Sequence, residues 1–78
     1  MLLEIISPDE KIFTGEVDLV QLPGIDGSFE LLNNHASLIS VLGKGKIKIV
    51  DMEKTTMFFE IKGGVVEVHK NKVLILAE

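Results

Sequence analysis

Apolar positions recur along this chain with a period of two, in short runs separated by turn chemistry. Leu2 to Ile6 is an apolar run closed by Ser7-Pro8-Asp9-Glu10, where proline removes a ladder donor and Ser-Pro-Asp favours a turn. Lys11 to Thr14 resumes the extended pattern, and Gly15 marks a bend or bulge. From Glu16 onward Val17 and Leu19 alternate with Glu16 and Asp18, until Val20 and Leu22 carry the apolar positions to the other face. Pro23-Gly24 closes that strand, a loop runs from Gly24 to Gly27, and Ser28 to Leu32 reads as the next strand.

Asn33-Asn34 suits a tight turn, because asparagine enters left-handed backbone angles at low cost. Ser37 to Leu42 is apolar on both faces and ends at Gly43-Lys44-Gly45. Lys46-Ile47-Lys48-Ile49 is the cleanest alternation, with lysines outward and isoleucines inward. The polar cluster Asp51 to Lys54 connects it to Thr55–Ile61, where Met57, Phe59 and Ile61 share one face; Gly63-Gly64 breaks that run. Val65 to His69, a turn at Lys70-Asn71, and Lys72 to Ala77 form a last hairpin. In its final strand Val73 and Ile75 alternate with Leu74 and Leu76, so the strand is buried on both sides or faces a partner. No run of about ten residues carries helical spacing free of glycine or proline. Turn signals recur at roughly ten-residue intervals, which predicts an all-β fold: a single domain over residues 1–78, an antiparallel β-sandwich of about eight to ten short strands.

Composition sharpens this picture in one respect. A 78-residue chain has a high ratio of surface to volume, yet 46% of its residues are apolar. Either part of that apolar surface is covered by a partner, the favoured expectation, or small β-branched residues make a dense core. The absence of cysteine excludes disulfides and thiolate zinc sites. A net charge of −4 argues against nucleic acid as that partner. No stretch nears the roughly 18 apolar residues of a membrane-crossing helix, so direct membrane insertion is not expected. The start, MLLEIISPDE, lacks the basic and long apolar regions of a signal peptide, which makes the cytoplasm the default location.

Candidate chemistry concentrates between Leu22 and Ser40. Ser37, His35 and Asp26 supply the residue types of a hydrolytic triad, but the chain has no Gly-x-Ser-x-Gly elbow and no evident oxyanion hole. His35 and His69 lie far apart in sequence, the carboxylates are scattered, and no metal-ligand spacing is present. Gly43-Lys44-Gly45-Lys46 is too short for a phosphate-binding loop and lacks its hydroxyl and following helix. Neither catalysis nor a cofactor is expected. Pro23-Gly24-x-x-Gly27 instead predicts a stiff, tight loop presenting Ile25 and Asp26 outward as contact residues. The alternative is a free-standing ligand-binding module or small enzyme using His35 and Asp26.

Several motifs in order carry a resemblance: Ser7-Pro8-Asp9, Phe13-x-Gly15, Leu22-Pro23-Gly24-x-x-Gly27, His35-Ala36-x-Leu38, Gly45-x-Ile47-x-Ile49, Gly63-Gly64-x-x-Glu67-Val68 and Val73-x-Ile75-Leu76-Ala77. Together they resemble, collinearly over essentially the whole chain, the N-terminal domain of the epsilon subunit of F-type ATP synthase. The resemblance implies a non-catalytic β-sandwich of the central rotor stalk, bound to the gamma subunit and resting on the c-ring at the cytoplasmic face of the bacterial inner membrane. It implies a role in coupling proton-driven ring rotation to ATP synthesis. It further implies that Gly24, Ile25, Asp26, Gly27 and Ser28 form the loop touching the c-ring, and that Ser7, His35, Ser40, Lys62 and Glu67 lie on the gamma-facing side. Asn33-Asn34 stands where the family usually has Pro-Gly before the histidine. The chain ends at Glu78, before the two helices that in the family carry an inhibitory switch and, in some members, an ATP-binding motif; neither role is expected here.

Overall fold

A computed structural model describes all of residues 1–78. Eight strands follow in order: β1 (Leu2–Ile6), β2 (Lys11–Gly24), β3 (Gly27–Leu32), β4 (Leu38–Leu42), β5 (Gly45–Asp51), β6 (Thr56–Ile61), β7 (Gly64–His69) and β8 (Lys72–Ala77). The fold is all-β, as the alternation predicts. β2, at 14 residues, does the work of two strands. Its first part pairs with β1, from Leu2↔Glu16 to Ile6↔Lys11. Its second part lies between β3 and β5, with Leu19 opposite Leu32 on one side and Val50 on the other. One layer is therefore the first part of β2 with β1, β8, β7 and β4; the other is β3, the second part of β2, β5 and β6. A single pairing, Gly24↔Leu42, joins β4 back to the far end of β2.

The crossing from layer to layer occurs at Asp18. Val17 pairs with Asp51 and Leu19 with the adjacent Val50, so Asp18 is an extra residue. Such a bulge bends the strand and flips the side-chain alternation once. That flip explains the change of face seen in the sequence: Val17, Val20 and Leu22 are all fully buried, whereas Leu19 turns outward. Gly15 does not interrupt the strand as expected; it pairs in register with Leu3, and the bulge falls three residues later. Nor do Pro23 and Gly24 close the strand. They pair with Ser28 and Gly27, leaving only Ile25 and Asp26 in the turn.

The core between the layers contains Leu3, Ile5, Val17, Val20, Leu22, Leu31, Ile47, Ile49, Val66, Val73 and Ile75, all fully buried, and no buried polar side chain. Each contributes roughly 1.5–3 kcal/mol of apolar burial. Phe13 and Phe59 pack on this cluster with ring centroids 5.7 Å apart. The ladder departs from the expected antiparallel arrangement at one seam, where β1 and β8 run parallel from Leu2↔Lys72 to Ile6↔Leu76. Pairing between the first and last strands leaves no turn signature in sequence, so alternation alone does not show its direction.

The registers divide the connections between two ends. One end gathers Met1, the β3–β4 loop, the β5–β6 turn and the β7–β8 turn. There the Met1 ammonium donates to Val17 O at 3.0 Å and to Asn33 Oδ1. The Asn34 amide donates to Asn71 Oδ1 at 2.7 Å. The Asn33-Asn34 turn is thus held from both sides, with Asn34 at φ 63°. Lys70 and Asn71 both have positive φ, as a two-residue hairpin turn of this twist requires. The opposite end gathers the β1–β2, β2–β3 and β4–β5 turns, the β6–β7 bend and Glu78.

Two consequences can be measured. Gly64 has φ 153°, and a Cβ there would stand 2.3 Å from Leu76 O. Gly64→Ala is expected to cost about 2–4 kcal/mol in urea unfolding, more than Gly27→Ala, because overpacking adds to backbone strain. Gly27, at φ 127°, has no atom within 4 Å of its Cβ position, so substitution there meets strain alone. Second, a hydrogen bond from Lys54 Nζ to Asp18 Oδ2 at 3.0 Å holds the Asp18 carboxyl below its usual 3.8, partly opposed by desolvation and aided by the Lys54 charge. A depressed folded pKa stabilises above the unfolded value and loses that contribution as pH falls through the folded one. The stability gap between parent and Asp18→Asn is therefore expected to be full above about pH 4 and to close below it. A pH-independent gap would contradict this reading.

Candidate partner-docking surfaces

Alternation sends every second residue of the β1–β8–β7–β4 layer away from the core. The registers then align these outward residues across strands. Ile6 pairs with Leu76, Leu76 with Val65, and Val65 with Val41: one aliphatic row spans four strands. The adjacent row reads Glu4, Leu74, Glu67, Ile39. Ile39 is 73% exposed, Val41 52% and Leu76 51%, so no element of the chain covers this face. Contiguous apolar surface of this kind marks an interaction site in a soluble domain. Sequence reading found apolar residues on both faces of residues 37–42 and 72–77. It missed that Val65 and Ile6 complete the row, because that depends on register between strands distant in sequence.

Charge on this face is sparse. Glu4 is paired with Lys11, Nζ to Oε2 at 3.4 Å. Glu67 has no ion partner within 4 Å. Two hollows flank it: one of about 210 Å³ towards β8, lined by Glu67, His69, Lys72 and Leu74, and one of about 380 Å³ towards β4. The outer face of the other layer differs. Its Leu32, Leu19 and Val50 form one apolar row, but the next carries Glu30, Gln21, Lys48 and Phe58.

The β2–β3 hairpin is the second surface feature. Gly24 and Gly27 pair across it, and a Cβ on Gly24 would lie 2.6 Å from Gly27 O, so glycine is required there. Ile25 projects from the tip, 63% exposed, beside exposed Asp26 and Ser28. The hairpin is tied to its neighbours: Gly43 N donates to Pro23 O at 2.7 Å and Ile25 N to Val41 O at 3.4 Å.

The residues expected on one gamma-facing side do not form one patch. Glu67 lies within the aliphatic face. Ser40 sits on the opposite side of β4, half-buried, sharing the side of buried Leu42. Ser7 caps the β1–β2 turn, its Oγ accepting from Glu10 N at 3.2 Å, and exposed Lys62 lies in the β6–β7 bend at that same end. His35 is exposed at the other end, its Nδ1 2.8 Å from Ala36 O.

These placements also dismantle the catalytic alternative. Asp26 lies before β3 and His35 beyond its far end, so a six-residue strand of roughly 20 Å separates them. Ser37 Oγ instead approaches His69 Nδ1 at 3.5 Å. No three His, Asp or Glu side chains converge.

Comparison with known proteins identifies the family of this fold. A family profile described as "ATP synthase, Delta/Epsilon chain, beta-sandwich domain" matches residues 1–78. An ATP synthase epsilon chain of Maridesulfovibrio salexigens is 45% identical over 78 residues, covering 100% of this chain and 54% of the relative. One from Chlorobium limicola is 40% identical over 76 residues, covering 97% of this chain and 86% of the relative. This chain thus spans about half the length of the former and most of the latter. In fold it is similar to a chain of the structure described as Euglena gracilis mitochondrial ATP synthase, OSCP/F1/c-ring, with a TM-score of 0.93 at 22% identity over 99% of this chain and 49% of that one. The chain belongs to the delta/epsilon family of ATP synthase subunits and folds as that family's β-sandwich domain.

Proposed function

We propose that this chain is a non-catalytic rotor component of an F-type ATP synthase central stalk, joining the gamma subunit to the c-ring and coupling proton-driven rotation to ATP synthesis. The observation that carries the reading is the uncovered aliphatic row Ile6, Leu76, Val65 and Val41, a surface that needs a protein partner. Gamma packs on this face, around Glu67. His35 borders it at one end and Ser7 with Lys62 at the other, while Ser40 backs it from within β4. The β2–β3 hairpin, with Gly24, Ile25, Asp26, Gly27 and Ser28, meets the polar loops of the c-ring. The domain sits peripherally at the cytoplasmic face of the bacterial inner membrane.

A coupling element must transmit load without yielding, and the hairpin's bonds favour this. Ile25 N is bonded to Val41 O, and Val41 belongs to the aliphatic row. Force applied at the hairpin tip therefore enters the docking face through backbone hydrogen bonds to the end of β4, without crossing a flexible loop.

Two experiments address the two surfaces separately. Val41→Asp is expected to weaken binding of this chain to gamma by at least about thirtyfold, as loss of a hot-spot contact does. Because Val41 is exposed, the melting temperature of the free chain should barely change. Undiminished binding would refute this face. Replacing Ile25 and Asp26 by glycine and alanine should preserve gamma binding and lower proton-driven ATP synthesis in reconstituted vesicles. Lost gamma binding with intact coupling would reverse the orientation.

A further inference from the structure

Glu67 is the one carboxylate on the docking face without an ion partner, and it stands between Ile39 and Leu74 in the registers of β4 and β8. A partner that covers this face removes water from Glu67. An ionised carboxylate desolvated without a counter-charge is strongly unfavourable, by more than a few aliphatic contacts return. A partner that brings a cation to Glu67 removes this cost.

The two hollows beside Glu67 differ in what they accept. The one towards β8 is lined by Lys72 as well, whose positive charge disfavours an incoming cation. The one towards β4 is larger, about 380 Å³, and is lined by Ser37, Leu38, Ile39, Glu67, Val68 and His69. Its aliphatic wall suits the methylene stem of a long basic side chain, and its carboxylate suits the head group. Resting on the gamma-docking reading, we propose that Glu67 is a specificity determinant: it takes an arginine or lysine side chain of the subunit packed on this face, inserted through the hollow between β4 and β7. Arginine fits best, since its guanidinium engages the carboxylate with two donors and leaves others for Ser37 Oγ. Ser37 Oγ is within reach of that role, as its only partner is His69 at 3.5 Å.

The test uses the full chain and purified gamma, with affinity measured at low and high salt. Glu67→Gln should weaken binding by roughly thirtyfold or more, because the partner's cation is left buried and unpaired. The residual affinity should lose most of its salt dependence. Lys72→Gln should leave affinity unchanged or raise it. Unchanged binding of Glu67→Gln, with Val41→Asp still disruptive, would overturn the cation proposal alone. A loss on Lys72→Gln as large as that on Glu67→Gln, with the double variant no worse than either single one, would also overturn it, since Lys72 would then be the counter-charge. Unchanged binding of Val41→Asp would instead remove the docking reading on which the proposal stands.

Discussion

β2 serves both layers because its ladder slips by one residue at Asp18. Without that slip a strand of strict alternation would put Val17 inward and Val20 and Leu22 outward, and one layer would lose its buried face. With it, all three are fully buried, and a single strand ties the two halves of the core together. The bulge is secured from outside by Lys54, which bonds the Asp18 carboxylate, and at its neighbour by the Met1 ammonium on Val17 O. The remaining strands follow from where β2 leaves its edges free: β1 on its first part, β3 and β5 on its second.

The same geometry separates two outer faces of different chemistry. One layer turns an aliphatic row outward; the other turns out a row mixed with Glu30 and Lys48. The hairpin at the end of β2 bonds to β4, a strand of the aliphatic face. A rotor element needs two attachment surfaces and a stiff path between them. Under the proposed role, that requirement would be met by the backbone hydrogen bonds and strand pairing between the hairpin and β4.

Much of this was legible in the residues. Period-two alternation and turn chemistry placed an extended segment at every strand, but split β2 into two at Gly15 and ended it before Pro23. The apolar excess, with Leu74 and Leu76 alternating against Val73 and Ile75, pointed to a covered surface. The surface itself was not legible: joining Ile6, Leu76, Val65 and Val41 requires strand order and register. For the same reason Gly15 drew attention that belonged to Asp18, because a bulge is set by the partner strand's pairing and needs no glycine. The side of β4 that Ser40 occupies, opposite to Glu67 and Ile39, likewise follows only from strand register. At Asn33-Asn34 the tight turn expected there is in addition anchored by contacts distant in sequence, the Met1 ammonium and Asn71.

The central claim is that one face of one layer is the gamma-docking surface. Methyl chemical shifts of the labelled chain, followed as unlabelled gamma is added, test it most directly. The account predicts that Ile6, Ile39, Val41, Val65 and Leu76 shift or broaden together, while Leu19, Leu32 and Val50 on the other layer stay in place. Perturbation confined to Leu19, Leu32 and Val50 would contradict it.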